Sequence, residues 1–96
     1  MRLRDKVVII TGAASGMGAS TAKIFAQEGA KVVVTDLLQT EGEEVVSEIT
    51  RNGGTARFKK LNVTDPSDWE QVVRETLGAY KKIDVLVNNA GVSGST

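Results

Sequence analysis

At 96 residues, with 12 basic and 12 acidic side chains, the chain is one small domain whose balanced charge offers no field to nucleic acid or to an anionic membrane. It has no cysteine and no histidine, which excludes disulfides, thiolate zinc sites and thiol nucleophiles and removes the usual general base and the commonest metal ligand. No apolar run is long enough to cross a bilayer, and MRLRDK leads into a strand rather than a signal-peptide core, so a soluble, cytoplasmic protein is expected.

The first predicted element is a strand over the β-branched run KVVII, Lys6 to Ile10. It runs into TGAASGMG, Thr11 to Gly18, which puts three glycines, Gly12, Gly16 and Gly18, at a strand-to-helix junction. In the helix that follows, Met17, Thr21, Ile24, Phe25 and Glu28 recur at spacings of three and four, and Gly29 supplies a left-handed stop. A second strand is predicted over KVVVT, Lys31 to Thr35. Thr40 with Glu43 forms a capping box for a second helix, whose face is Val45, Val46 and Ile49 and whose end is Gly53-Gly54.

The third strand, ARFKK from Ala56 to Lys60, alternates apolar Ala56 and Phe58 with Arg57 and Lys59, which suits a charge-guarded sheet edge. Asp65 is the predicted N-cap of a third helix, with Pro66 in the first position, where a missing N–H costs nothing. Its face is Trp69, Val72, Val73, Thr76, Leu77 and Tyr80. The fourth strand, DVLVN from Asp84 to Asn88, has no gatekeeper charge within its apolar run and resembles a strand meant for neighbours on both sides, the one beyond it not being expected within these residues. The order β-α-β-α-β-α-β predicts an α/β fold with an open parallel sheet, since right-handed crossovers return each strand alongside the others.

Such a sheet binds ligands beyond the carboxyl ends of its strands, where the glycine loop lies. There one glycine permits the turn, another lets backbone N–H groups approach a pyrophosphate, and a third lets the helix pack closely. The spacing is Gly-x-x-x-Gly-x-Gly after Thr11, and a glycine-rich turn without a ligand is the plain alternative. Asp36, at the end of the second strand, can accept hydrogen bonds from both hydroxyls of an adenosine ribose. Its structural alternative is a helix cap, but Thr40 and Glu43 are read as serving that helix, leaving Asp36 for a ligand. A carboxylate repels a 2′-phosphate, Leu37 stands where an arginine could bind one, and Ser15 adds no cation, so NAD is favoured over NADP.

TGAASGMG, Asp36, NVTDP (Asn62 to Pro66) and NNAG (Asn88 to Gly91), in this order, resemble the short-chain dehydrogenase/reductase family over essentially the whole chain. The resemblance implies a Rossmann-type doubly wound sheet, with residues 1–96 forming the NAD(P)-binding part and the catalytic half absent from them. It places Thr11, Gly12, Ser15, Gly16, Met17 and Gly18 in the cofactor loop and Asp36 and Leu37 at the ribose. Asn62 and Val63 would lie along the adenine, Asn62 in place of a common aspartate, its carbonyl still able to accept from the adenine amino group. Asn89, Ala90 and Gly91 would line the cofactor after the fourth strand, and Asn88 would tie neighbouring strands together.

The family's reaction moves hydride between nicotinamide and a carbonyl or secondary alcohol, using a serine and a Tyr-x-x-x-Lys pair for proton transfer. Here Tyr80 is followed four residues on by Asp84 and sits on the apolar face of a helix, a packing position. Ser93 and Ser95 come too soon after the cofactor loop, and Lys81 and Lys82 read as a solvated helix end. No catalytic residue and no metal ligand is assigned, and the chain alone is expected to bind cofactor without turnover. Two other readings stay open. One is a catalytically silent nucleotide-binding module, or truncated regulator of a full-length partner, that associates through its fourth strand. The other is a methyltransferase, against which NNAG and the Thr11-Gly12 start both count.

Overall fold

The computed structural model describes residues 3–89. In chain order these form β1 (Val7–Thr11), α1 (Gly16–Gln27), β2 (Lys31–Asp36), α2 (Gln39–Arg51), β3 (Thr55–Lys60), α3 (Pro66–Tyr80) and β4 (Val85–Asn88). The strands make one parallel sheet in the order β3-β2-β1-β4, with every pairing parallel as the alternating pattern predicted. Successive side chains of a strand point to opposite faces, so the apolar runs of β1 and β2 supply two cores. Val8, Ile10, Val32 and Val34 pack against α1 and α2, while Ile9 and Val33 meet Leu61 and Val72 on the α3 side. Because helices lie on both faces, all five residues of β1 are buried.

The inner face of α1 differs from the periodic residues of the sequence. Gly18, Ala19, Ala22 and Ala26 are buried, whereas Met17 and Ile24 are 74% and 56% exposed. Small side chains let the helix axis come close to the branched residues of β1 and β2, and Phe25 stays at the margin of that core. The predicted capping box of α2 also does not form. The helix starts at Gln39 with Leu38 as its cap and no side-chain cap hydrogen bond, which leaves Thr40 inside the first turn. Its face is as predicted: Val45 and Ile49 are buried, and Val46 packs at the edge. Gly42 is buried on the same face, where a Cβ would stand 2.2 Å from the Phe58 ring.

Asp65 caps α3 as expected, its Oδ1 accepting from the Ser67 N–H at 2.9 Å and from the Ser67 hydroxyl at 2.7 Å. Those two bonds hold the Asp65 carboxyl below its ordinary value, the hydroxyl contributing most. The helix covers less than its apolar face could: Val72 and Thr76 are buried, but Leu77 is 43% exposed. The Tyr80 ring packs under two cations, Lys31 and Arg57, 5.6 and 5.1 Å from its centre.

β3 is a sheet edge, as its charge pattern predicted, and Lys59 pairs with Glu75 at 2.7 Å. β4 is the opposite edge: among the described residues it pairs with β1 alone. It also starts one residue later than predicted, because Asp84 completes the ladder with its side chain. The Asp84 N–H donates to the Val7 carbonyl and its Oδ2 accepts from the Val7 N–H, both at 2.8 Å. Among the described residues no helix is long and apolar enough to cross a membrane.

Candidate functional site

The loop between β1 and α1 lies at the carboxyl end of the sheet, and its glycines do three different things. Gly12 turns the chain out of the strand with φ of 62°. Gly16 opens α1 with φ of 59°, and a Cβ added there would meet nothing within 4 Å. Gly18 is the opposite case: a Cβ would stand 2.0 Å from the Gly12 carbonyl oxygen and 2.7 Å from Asn89 Nδ2. It is therefore a packing glycine, whereas Gly16 keeps open space beside the helix N-terminus.

That N-terminus is ready for an anion. Ser15 is its cap in extended backbone and makes no side-chain cap bond, and the first turn holds no acidic residue. Its first N–H groups have no intrahelical acceptor and carry the positive end of the helix dipole. Ser15, Gly16 and Met17 are exposed around it.

The chain braces this loop from three sides. Asn89 Nδ2 donates to the Gly12 carbonyl at 3.2 Å, the Ala13 N–H donates to the Thr35 carbonyl at 3.1 Å, and the Ala14 N–H donates to Asp36 Oδ2 at 3.1 Å. Thr11, at the end of β1, donates its hydroxyl to Asn88 Oδ1 at 2.9 Å and so links β1 to β4. Asp36 is consequently not left free by a capping box. Its Oδ1 accepts from the Leu38 N–H at 3.1 Å at the start of α2, in addition to the loop contact of Oδ2. Each carboxylate oxygen keeps a further lone pair, so Asp36 both holds the loop and retains accepting capacity.

Next to it lies a cavity of about 230 Å³ lined by Gly12, Asp36, Leu37, Asn62, Val63 and Thr64, among others. Five residues singled out in the sequence thus share one hollow. Leu37 and Val63 are partly exposed apolar side chains on its wall, and the buried Leu61 also lines it. Sequence reasoning missed Leu61 and Thr64. The signal for Thr64 was present, since an Asn two residues ahead of a Thr commonly closes a local turn.

Asn62 departs from expectation. Its carbonyl Oδ1 accepts from the Thr64 N–H at 3.0 Å and from the Thr64 hydroxyl at 2.7 Å, so both lone pairs are spent within the chain. Met17 and Ser15 lie by the α1 N-terminus and do not line this cavity. Ala90, Gly91, Ser93 and Ser95 lie outside the described residues. A smaller hollow of about 130 Å³ between α1 and α2 carries none of the predicted residues.

The profile of the short chain dehydrogenase family matches residues 6–96. The chain belongs to the short-chain dehydrogenase family. Over 91 residues it is 46% identical to a 2,5-dichloro-2,5-cyclohexadiene-1,4-diol dehydrogenase of Sphingobium indicum, covering 95% of this chain and 36% of that one. It is 43% identical to a cyclopentanol dehydrogenase of Comamonas testosteroni over the same shares of the two chains. A 3-oxoacyl-[acyl-carrier-protein] reductase of Thermotoga maritima is 45% identical over 97% of this chain and 38% of its own length. This family member thus spans about 36% of the length of the first two relatives. The crystal structure of a hydroxysteroid dehydrogenase from Escherichia coli superposes with a TM-score of 0.88 at 37% identity, over 91% of this chain and 37% of that one. The parallel sheet with its alternating helices is the Rossmann-type fold of such dehydrogenases.

Proposed function

We propose that residues 1–96 are the dinucleotide-binding part of an NAD-dependent oxidoreductase acting between a carbonyl and a secondary alcohol. One observation carries this reading: the loop that puts an open, left-handed Gly16 at a helix N-terminus without a side-chain cap also lends Gly12 to the lining of a cavity that Asp36 borders. In this reading the backbone N–H groups around Gly12, Ser15, Gly16 and Met17 bind the pyrophosphate, and the close fit of Gly18 under Gly12 and Asn89 fixes the loop. Asp36 accepts from the ribose hydroxyls. Leu37 and Val63 lie against the adenine, with Asn62 beside it and Asn89, Ala90 and Gly91 beyond. Bound there, the dinucleotide supplies the hydride donor or acceptor.

Asp36 also supports NAD over NADP. Two like charges 4 Å apart repel by about 1 kcal/mol in bulk water and about 4 kcal/mol at the effective dielectric of a protein surface, and the latter is enough to disfavour a 2′-phosphate by more than tenfold. The relatives are named for a cyclic diol, a cyclic alcohol and an oxoacyl group, which supports an alcohol or carbonyl substrate without choosing among them. The lack of cysteine favours the cytoplasm. For proton transfer we assign no residue in the chain. The Tyr80 ring is held by Lys31 and Arg57, at the end of α3 remote from the glycine loop, so the 96-residue protein binds cofactor without turnover.

Calorimetric titration with NADH, NADPH and S-adenosylmethionine tests this directly. NADH should bind at least tenfold more tightly than NADPH, and the methyl donor should not bind. Replacing Asp36 by alanine and Leu37 by arginine together should invert the nucleotide preference. Tighter binding of S-adenosylmethionine, or no binding of NADH, would overturn the reading. Alcohol oxidation by the purified chain that disappears in Asp36→Ala would overturn the lack of turnover. A second reading, a docking module that pairs through β4, is favoured by one feature: the outer edge of β4 is unpaired among the described residues and Leu86 is 53% exposed. Light scattering that shows a monomer at high concentration would count against self-association there.

A further inference from the structure

We infer that Asn62 makes the base end of this cavity take purines with an amino or an oxo group at C6 about equally well; the inference rests on the dinucleotide reading above. It follows from the hydrogen bonds of one side chain. The Thr64 N–H can only donate, so the Asn62 atom 3.0 Å from it must be the carbonyl Oδ1, which fixes the orientation of the amide by chemistry. The Thr64 hydroxyl donates to the same oxygen at 2.7 Å, and a carbonyl oxygen has two lone pairs, so none is left. The Asn62 N–H is itself anchored to Asp68 Oδ2 at 3.0 Å, which ties this turn to the first turn of α3.

What Asn62 still offers the cavity is its amide nitrogen, a donor without a partner among the described residues. Val63, the next lining residue, adds a backbone N–H that also has no acceptor among them. The Asn62 side chain and the Val63 N–H therefore present donors, and the Asn62 amide oxygen offers no open lone pair. A 6-aminopurine carries a donor at C6 and an acceptor at ring N1, and a 6-oxopurine carries the reverse. Against two donors each base satisfies one and wastes one. A carboxylate at this position would behave differently, because its second oxygen, out of reach of Thr64, would be an acceptor. Acceptor beside donor then matches the aminopurine twice and the oxopurine not at all.

The test titrates the protein with NADH and with reduced nicotinamide hypoxanthine dinucleotide, following nicotinamide fluorescence. The two dissociation constants of the unaltered protein should agree within about threefold, and Asn62→Asp should move their ratio toward NADH by about tenfold or more, the scale of one to two hydrogen bonds. Thr64→Val, which releases one lone pair of Oδ1 and keeps the Thr64 N–H contact, should move the ratio the same way by about threefold. A tenfold preference of the unaltered protein for NADH, or a ratio that Asn62→Asp leaves unchanged, would overturn the inference and leave the dinucleotide site standing. Failure of both ligands to bind would remove the dinucleotide site and this inference with it.

Discussion

The two faces of the sheet are built on different principles. On the α1 and α2 face, glycine and alanine of α1 let the helix lie close to Val8, Ile10, Val32 and Val34, and the interface is sealed. On the α3 face, four buried residues, Ile9, Val33, Leu61 and Val72, are edged by the half-buried Trp69, Tyr80 and Ile83, and Leu77 and Leu86 face outward. The sealed face carries the glycine loop and the start of α2 that Asp36 grips. Close packing is thus concentrated beside the glycine loop, and the α3 side leaves Leu77 and Leu86 exposed.

The largest expected effect separates the faces by stability. Ile10→Ala removes a fully buried side chain from the sealed core and should cost about 3 kcal/mol in a urea titration, a large part of what a domain this small possesses. Leu86→Ala, on the open side and 53% exposed, should cost less than about 1 kcal/mol. Equal costs would erase the distinction. Within the loop the same logic divides Gly18 from Gly16. Gly18→Ala drives a Cβ into the Gly12 carbonyl and should destabilise the fold by about 2 kcal/mol as well as weakening NADH binding. Gly16→Val meets open space, so its main effect should be loss of NADH affinity by more than tenfold, with about 1–2 kcal/mol of strain from the left-handed backbone. A Gly16 variant that binds NADH normally would show that the open space is not used.

The α3 face has its own irregularity. Thr76 is buried, and its hydroxyl has no hydrogen-bond partner among the described residues. An unpaired buried hydroxyl costs free energy that an apolar side chain of the same shape avoids. Thr76→Val should therefore raise stability by about 1 kcal/mol, read as a higher urea midpoint. A lower midpoint would mean that the hydroxyl finds a partner in solution.

These particulars show what the sequence could and could not disclose. The strands were legible because short apolar runs next to glycine turns have few other readings, and Asp65-Pro66 marked its helix by a local bond. The face of α1 was not, because the buried residues are glycine and alanine, whose small size matters only once the distance between helix and sheet is known. Thr40 and Glu43 fitted a capping pattern, yet Asp36 took over the start of α2 through a contact that depends on where β2 ends. The same contact changed the meaning of Asp36 from an unattached acid to one that braces the loop. The Asn62 side chain was placed at the cavity by its motif, but the direction of its amide was set by Thr64, two residues away.

The smallest expected effect lies at the foot of the seam between β1 and β4, where Asp84 stands in for a strand residue. The Val7 N–H, and after it the Lys82 ammonium at 3.2 Å, hold the Asp84 carboxyl below its ordinary value. A carboxyl depressed in the folded state binds its proton more readily when unfolded. Its stabilisation is therefore complete above the ordinary carboxylate value of about 3.9 and is lost as pH falls through the lower folded value. Asp84→Asn keeps a carbonyl able to accept from Val7 and removes the charge. The midpoint difference between the unaltered protein and this variant should be present near about pH 7 and shrink toward zero in strong acid, below both values. Lys82→Ala should reduce that difference slightly and leave most of it, because the backbone N–H contributes more than the ammonium. A difference that persists undiminished in acid would mean that Asp84 holds β1 by shape and hydrogen-bond geometry alone.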